Sequence, residues 1–243
     1  MNNMNYRFQE GKHLHQLEVD GEWKNLTGCT TILGVVAKPA LIQWAANMAV
    51  DYVKEKASWI DPFLTEEEYN KVLEEARKAH CRRKEKAGDW GTQVHSEIES
   101  YIKNELEGKS NEVYPDSIEN FVKWTKDNKV KFIATEKNVW SESLFLGGII
   151  DFLCEINGEV WIGDIKTSKS GLYAENFWQC GGYEIMLNEC SDYKNIKGYV
   201  LLNLKESGDF LEKRSVSNEE HKKAFMACYE IYRQKEKTNN QLI

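Results

Sequence analysis

Residues Leu144 to Lys169 read LFLGGIIDFLCEINGEVWIGDIKTSK, two apolar strands joined at Asn157-Gly158. Asn-Gly between apolar runs is a strong hairpin signal, because both central residues of the tight turn need positive φ. A two-residue turn also fixes the register. Counting outward, Ile156 faces Glu159, Leu153 faces Ile162 and Asp151 faces Asp164. Like charges directly opposed on one face, with Cβ atoms about 5 Å apart, destabilise a sheet. Each carboxylate also lies in an apolar strand, where isolated buried charge is costly. A divalent cation would turn this repulsion into ligation, since hard oxygen donors suit Mg²⁺ or Mn²⁺. Lys166 is two residues beyond Asp164, so the strand period returns it to the same face. Two carboxylates and a lysine there suit phosphate chemistry. A D-x-K alone carries nothing, and acidic residues at strand ends are common; the weight rests on fixed register, facing aspartates, same-face lysine and apolar flanks together. A bulge near Gly147-Gly148 would shift the outer pairs and leave Asp151–Asp164 in place.

The whole chain sets outer bounds. With 243 residues, 41% hydrophobic and 12% aromatic, it can bury a substantial core. The expected division is an N-terminal hairpin and helical part over residues 1–130 and an α/β core over 131–243, together one compact domain. No apolar run approaches the roughly 18 residues of a membrane span, and MNNMNYRFQEGKHLHQ has no signal-peptide core. A soluble, cytoplasmic protein with no membrane partner is the expectation. Its six cysteines (29, 81, 154, 180, 190 and 228) form no CxxC pair, so reduced, mostly buried thiols are expected. The net charge of −7 by itself argues against nucleic acid, but local patches supply that attraction.

Along the chain, residues 6–19 read as a short hairpin turning at Glu10-Gly11, with His13 and His15 on its surface. A helical turn starts at Thr30. Pro39 opens a helix whose stripe, Leu41, Trp44, Ala45, Met48 and Tyr52, is expected to pack in the core. Thr65-Glu66-Glu67-Glu68 is a capping box opening a helix to about Lys86, with Gly88 as its stop. Its second half holds Arg77, Lys78, Arg82, Arg83, Lys84 and Lys86. Most such runs are solvated faces. This one is nearly single-signed in an acidic protein and leads into the next motif, which favours a phosphate-contacting surface at the entrance to the site.

Asp89 then caps a helix with Val94, Ile98, Tyr101 and Ile102 at helical spacing, and His95 and Glu99 pair on a neighbouring stripe. A helix follows Pro115. Lys131–Trp140 is the strand before the hairpin, with Glu136 its one acidic residue. Tyr173–Glu189 is a helix carrying Gln179 and Tyr183 one turn apart. Lys197–Leu204 suits a strand covered on both faces, Phe210–Val216 is a last strand, and a closing helix buries Phe225, Cys228, Ile231 and Tyr232.

GTQVHSEIE, a strand glutamate, GGIID, DIKTSK and QCGGY, in this order over about residues 88–205, resemble the RecB-type branch of the PD-(D/E)XK nucleases. The segment TTILGVVAKPALIQWAA is similar to the lead-in of phage-encoded and mitochondrial genome maintenance exonucleases. The resemblance implies a restriction-endonuclease-like α/β core, a mixed central sheet flanked by helices, with an N-terminal helical extension. It implies His95, Asp151 and Asp164 as metal ligands with a main-chain oxygen of Ile165, Lys166 as the catalytic lysine, and Gln179 and Tyr183 as an accessory pair. Glu99 and Glu136 are accessory candidates, and Lys169 joins the basic run as a nucleic-acid contact. Gln179 and Tyr183 orient Lys166 or the nucleic acid, or simply bridge helix to sheet. One branch of the family holds an iron–sulfur cluster on an early cysteine and a tight late triplet; Cys180, Cys190 and Cys228 are too dispersed for that, so no cluster is expected. There is no G-x-x-x-x-G-K-[ST] phosphate loop, so any unwinding falls to a helicase or recombination partner.

The expected activity is Mg²⁺- or Mn²⁺-dependent phosphodiester hydrolysis on DNA, by an exonuclease acting on single-stranded ends in replication, recombination or repair. A structure-specific or restriction-like endonuclease, and a non-catalytic DNA-end-binding module, are the alternatives. A phage-encoded protein acting in the host cytoplasm fits the resemblance.

Overall fold

The computed structural model describes residues 5–57, 65–109 and 113–241. Asn157 (φ 54°) and Gly158 (φ 80°) both take the left-handed conformation their turn demands. They join β6 (Leu146–Ile156) to β7 (Glu159–Lys166). The register runs as counted from Ile156↔Glu159 through Leu153↔Ile162 and ends at Phe152↔Gly163. Asp151 and Asp164 therefore form no ladder pair, a correction to the expected facing aspartates; Asp164 instead pairs with Leu201 of the next strand. Gly163 is needed at the last rung, because a Cβ there would lie 2.0 Å from the Phe152 ring.

Around this hairpin lies a six-stranded mixed sheet. β5 (Lys131–Ser141) runs antiparallel along the other edge of β6. β7 pairs in parallel with β8 (Ile196–Leu204), which pairs antiparallel with β9 (Phe210–Ser215). The parallel step needs a crossover, supplied by the helix Ala174–Cys190, here α6. A two-residue strand, β4 (Thr27–Gly28), pairs in parallel with β6 at Leu146 and Gly147. β5 holds the opposite edge of those residues, so β4 takes the edge from which β7 has departed. Gly147 and Gly148 carry no bulge; the register shift is in β5, between Phe132 and Ala134.

The preceding helices are α1 (Cys29–Leu33), α2 (Pro39–Ala57), α3 (Glu66–Arg77), α4 (Ala79–Leu106) and α5 (Glu119–Asp127); α7 (Asn218–Asn239) closes the chain. The architecture is mixed α/β, a mixed central sheet flanked by helices, as expected. α6 and α7 approach closely because Gly181 and Gly182 lack side chains: a Cβ would stand 2.8 Å from the His221 main chain or 2.6 Å from the Phe225 ring. Ile150 and Leu153 join the core cluster with Tyr183, Met186 and Leu187 of α6. Phe152 instead joins Phe121, Trp124 and Phe132 in an aromatic group. Two core positions three apart break the strand period of two, and the slip falls across Asp151.

Several expectations change. The chain clusters into two compact units, residues 1–36 with 93–243, and residues 37–92. The Thr65 capping box forms, but the helix it opens breaks at Lys78, not Gly88. α4 runs through Gly88 and Asp89, a glycine inside a helix costing only about 1 kcal/mol, so Asp89 caps nothing. The α2 stripe is not fully buried: Leu41 is 55% exposed, and Trp44, Ala45, Met48 and Tyr52 are half-buried. In α7, Phe225, Cys228 and Tyr229 are buried, while Ile231 is exposed.

The N-terminal hairpin gains a third strand. β1 (Tyr6–Gln9), β2 (Leu14–Val19) and β3 (Glu22–Asn25) form a separate antiparallel sheet, the second turn being Asp20-Gly21 with both φ positive. His13 is exposed in the first turn. His15 is not a surface residue: it accepts or donates at 2.7 Å with the Tyr6 hydroxyl, and a Cβ on Gly147 would meet its side chain at 2.4 Å. Burial lowers the His15 pKa to about 4. All six cysteines are free, with Cys29, Cys154, Cys180 and Cys228 buried and Cys81 exposed. No helix among the described residues is long and apolar enough to cross a membrane.

Candidate metal centre

Asp151 lies where β6 and β7 separate, and its side chain replaces the missing ladder. Its Oδ2 accepts the Ile165 main-chain N–H at 2.6 Å, while its own carbonyl accepts the Thr135 hydroxyl at 3.1 Å. Held at both ends, it leaves Oδ1 facing His95, whose Nδ1 is 3.6 Å away. His95 reaches this point from α4, whose buried stripe is Val94, Ile98, Tyr101 and Ile102, as the spacing predicts.

Glu136 completes the group. Thr135 and Lys137 pair with Phe152 and Ile150, so Glu136 comes opposite Asp151. Its φ of 45° is uncommon for a residue with a side chain. His95, Glu136 and Asp151 each offer a ligand atom, all within 4.8 Å of one another. This cluster could hold a metal ion. Glu136, an accessory candidate by sequence, stands at its centre; the one signal for it was a lone acid in KFIATEKNVW, and placing it needed the β5–β6 register. Burial, then the carboxylates of Asp151 and Glu99, push the Glu136 pKa up to about 7. Glu99 pairs with Lys103 rather than with His95.

Asp164 stands apart from the trio. It is 1% exposed, and Lys166 Nζ donates to its Oδ1 at 2.8 Å and lies 2.7 Å from Oδ2. That second contact is one of charge, not a directed hydrogen bond, and Oδ2 has no hydrogen-bond partner among the described residues. Burial raises the Asp164 carboxyl, with Lys166 opposing and Asp151 adding to the shift. Burial also works against the Lys166 ammonium, but the carboxylates of Asp164 and Asp151 outweigh it and raise its pKa. Lys166 further donates to Gln179 Oε1 at 3.3 Å, and Gln179 Nε2 donates to the Tyr183 hydroxyl at 2.6 Å. The expected accessory pair thus reaches the lysine through Gln179. A Cβ on Gly148 would meet the Tyr183 ring at 2.8 Å, so the second glycine of GGIID makes room for the tyrosine. Ile165 meets the site through its N–H; the structure assigns no ligand role to its carbonyl.

One imidazole and two carboxylates are a donor set that fits a divalent cation. The sequence matches no family model and no curated protein.

The basic run belongs to the second unit. Arg77 pairs with Glu74. Arg82 bonds Glu75 at 2.6 Å and lies over the Tyr52 ring. Lys78 ends α3, while Arg83, Lys84 and Lys86 are exposed on the early turns of α4, whose first turn holds no acid. Positive side chains at the positive end of a helix dipole are unfavourable for the helix and favourable for an anion. Lys169 pairs with Glu206 at 3.2 Å.

Proposed function

We propose that this protein is a metal-dependent deoxyribonuclease of the PD-(D/E)XK type, an exonuclease acting on single-stranded DNA ends. One observation carries the reading: His95, Glu136 and Asp151 converge beside a buried Asp164 whose only directed bond is to Lys166. A structural ion pair needs no such neighbours, and a structural metal site needs no lysine beside it.

His95, Glu136 and Asp151 would hold Mg²⁺ or Mn²⁺, with an Asp164 oxygen joining them once Lys166 releases it. When bound, the cation polarises the scissile phosphate and lowers the pKa of water. Asp151 is oriented for ligation by Ile165 and Thr135. Lys166 is kept charged by its carboxylate neighbours and stands ready to offset negative charge at the reacting phosphate. Gln179, fixed by Tyr183, limits where the lysine can point. His95 would ligate through an unprotonated ring nitrogen. Arg83, Lys84 and Lys86 supply backbone contacts for the nucleic acid, and helicase or recombination proteins supply any unwinding.

The test compares end-labelled linear single strands with circular DNA, with Mg²⁺ and with Mn²⁺. Short products from linear DNA and intact circles support the exonuclease. Cut circles show an endonuclease. Binding of ends without cleavage under either metal leaves a binding module and ends the enzymatic reading.

A further inference from the structure

β8 reads IKGYVLLNL, almost all apolar, yet Asn203 in it is wholly buried. Its Nδ2 donates to the Ser168 carbonyl at 2.9 Å, which ties down the chain two residues after Lys166. Its Oδ1 is buried and has no hydrogen-bond partner among the described residues. An unpaired buried acceptor is destabilising, and leucine has a similar volume without that penalty. The oxygen therefore suggests a use that this state of the site does not display.

The β7–β8 ladder aligns Asn203 with Lys166. Partners in register project to the same face, on strands about 4.8 Å apart. Lys166 has three protons to donate, and two go to Asp164 Oδ1 and, at 3.3 Å, to Gln179. A cation on Asp164 competes with Lys166 for the same lone pairs and repels its charge. An ammonium loosened from Asp164 needs another acceptor in its own row, and a neutral amide oxygen serves without adding charge.

We propose that Asn203 is a positioning residue: its Oδ1 takes the Lys166 ammonium when a divalent cation occupies Asp164, while its Nδ2 holds Ser168. This rests on the metal-dependent reading of the site. The test has two arms. In the first, a crystal structure of the wild-type protein with Ca²⁺ or Mn²⁺ should show Lys166 Nζ within about 3.2 Å of Asn203 Oδ1, a normal hydrogen bond. Lys166 still on Asp164, with Oδ1 unpaired, overturns the proposal. In the second, Asn203→Leu should weaken Mn²⁺ binding, because an acceptor that Lys166 uses only in the metal-loaded state contributes to metal affinity by linkage, and should lose kcat on the order of tenfold at unchanged KM. A loss in kcat at unchanged KM places the effect on the chemical step rather than on substrate binding. Asn203→Thr, which keeps a hydroxyl, should recover part of the loss, and it carries this arm if the leucine variant does not fold. Wild-type kcat in Asn203→Leu also overturns the proposal. Wild-type protein that binds metal but cuts no DNA ends the nuclease reading, while the loaded structure still decides Asn203. Protein that binds no divalent cation overturns both.

Discussion

The Asp151 carboxylate accepts the Ile165 main-chain N–H at 2.6 Å, one step beyond the last rung that β6 and β7 share. One side chain therefore does two jobs, closing the gap between strands and offering an oxygen to the His95 side. The two jobs can be separated. Asp151→Asn keeps an acceptor for Ile165 and should unfold within about 1 kcal/mol of wild type while losing at least about tenfold in Mn²⁺ affinity. Asp151→Ala leaves the N–H unpaired and should cost about 1–3 kcal/mol. Urea unfolding and calorimetric titration of both variants check this; equal stability of the two would mean the Ile165 bond is not structural.

Asp164 calls for a different expectation. Facing aspartates would gain stability from losing one charge, but Asp164 is the buried partner of Lys166. Truncating one side of a buried pair costs about 3–5 kcal/mol, so Asp164→Ala should both abolish hydrolysis and lower the Tm. Asp164→Asn should abolish hydrolysis with the smaller thermal loss.

Glu136 should make stability fall as pH rises. Its folded pKa is about 7 against an ordinary 4.5, so between these values the folded chain holds a proton that the unfolded chain has released. The stabilisation is complete below 4.5 and is lost as pH passes 7. The metal-free Tm of Glu136→Gln should gain on that of wild type as pH rises from 4.5 to 8, a comparison in which the opposite contribution of His15, whose lowered pKa adds stability as pH rises, cancels. A cation must displace this proton, so wild-type Mn²⁺ affinity should climb with pH and level off above about 7.

His95 is a third exposed and off the buried stripe of its helix, so His95→Ala should leave Tm nearly unchanged. Mn²⁺ affinity should fall on the order of tenfold, with a smaller loss for Mg²⁺, because imidazole favours the softer ion. A large thermal loss with intact metal binding would make His95 a packing residue.

Within the basic run, the exposed residues and the engaged ones should behave differently. Replacing Arg83 and Lys86 with alanine should flatten the log–log salt dependence of single-strand binding by about 1.4, at about 0.7 per contact. Arg82→Ala should leave the slope alone and lower stability slightly, since Arg82 is held by Glu75 and Tyr52. An unchanged slope in the double variant would return the run to a solvated helix face.

The chain itself determined what local rules decide. Asn157-Gly158 set a turn, the turn set five residues of register on either side, and helical spacing put Val94, Ile98 and Tyr101 inward and so His95 to one side. Tertiary structure decided the rest, because each remaining feature is a competition between distant groups. Whether the ladder continues past Phe152 depends on whether the Ile165 N–H finds a carbonyl or the Asp151 carboxylate. Where Glu136 points depends on a register that β5 reaches only after a shift at Ile133. Which carboxylate Lys166 holds depends on burial that takes Asp164 to 1% exposure. The α2 stripe shows the converse: its periodicity specified a helix, but no spacing specifies what covers an apolar face. Residue pattern fixes the period and turn of each element, while the pairing of buried polar groups is settled only when those elements meet.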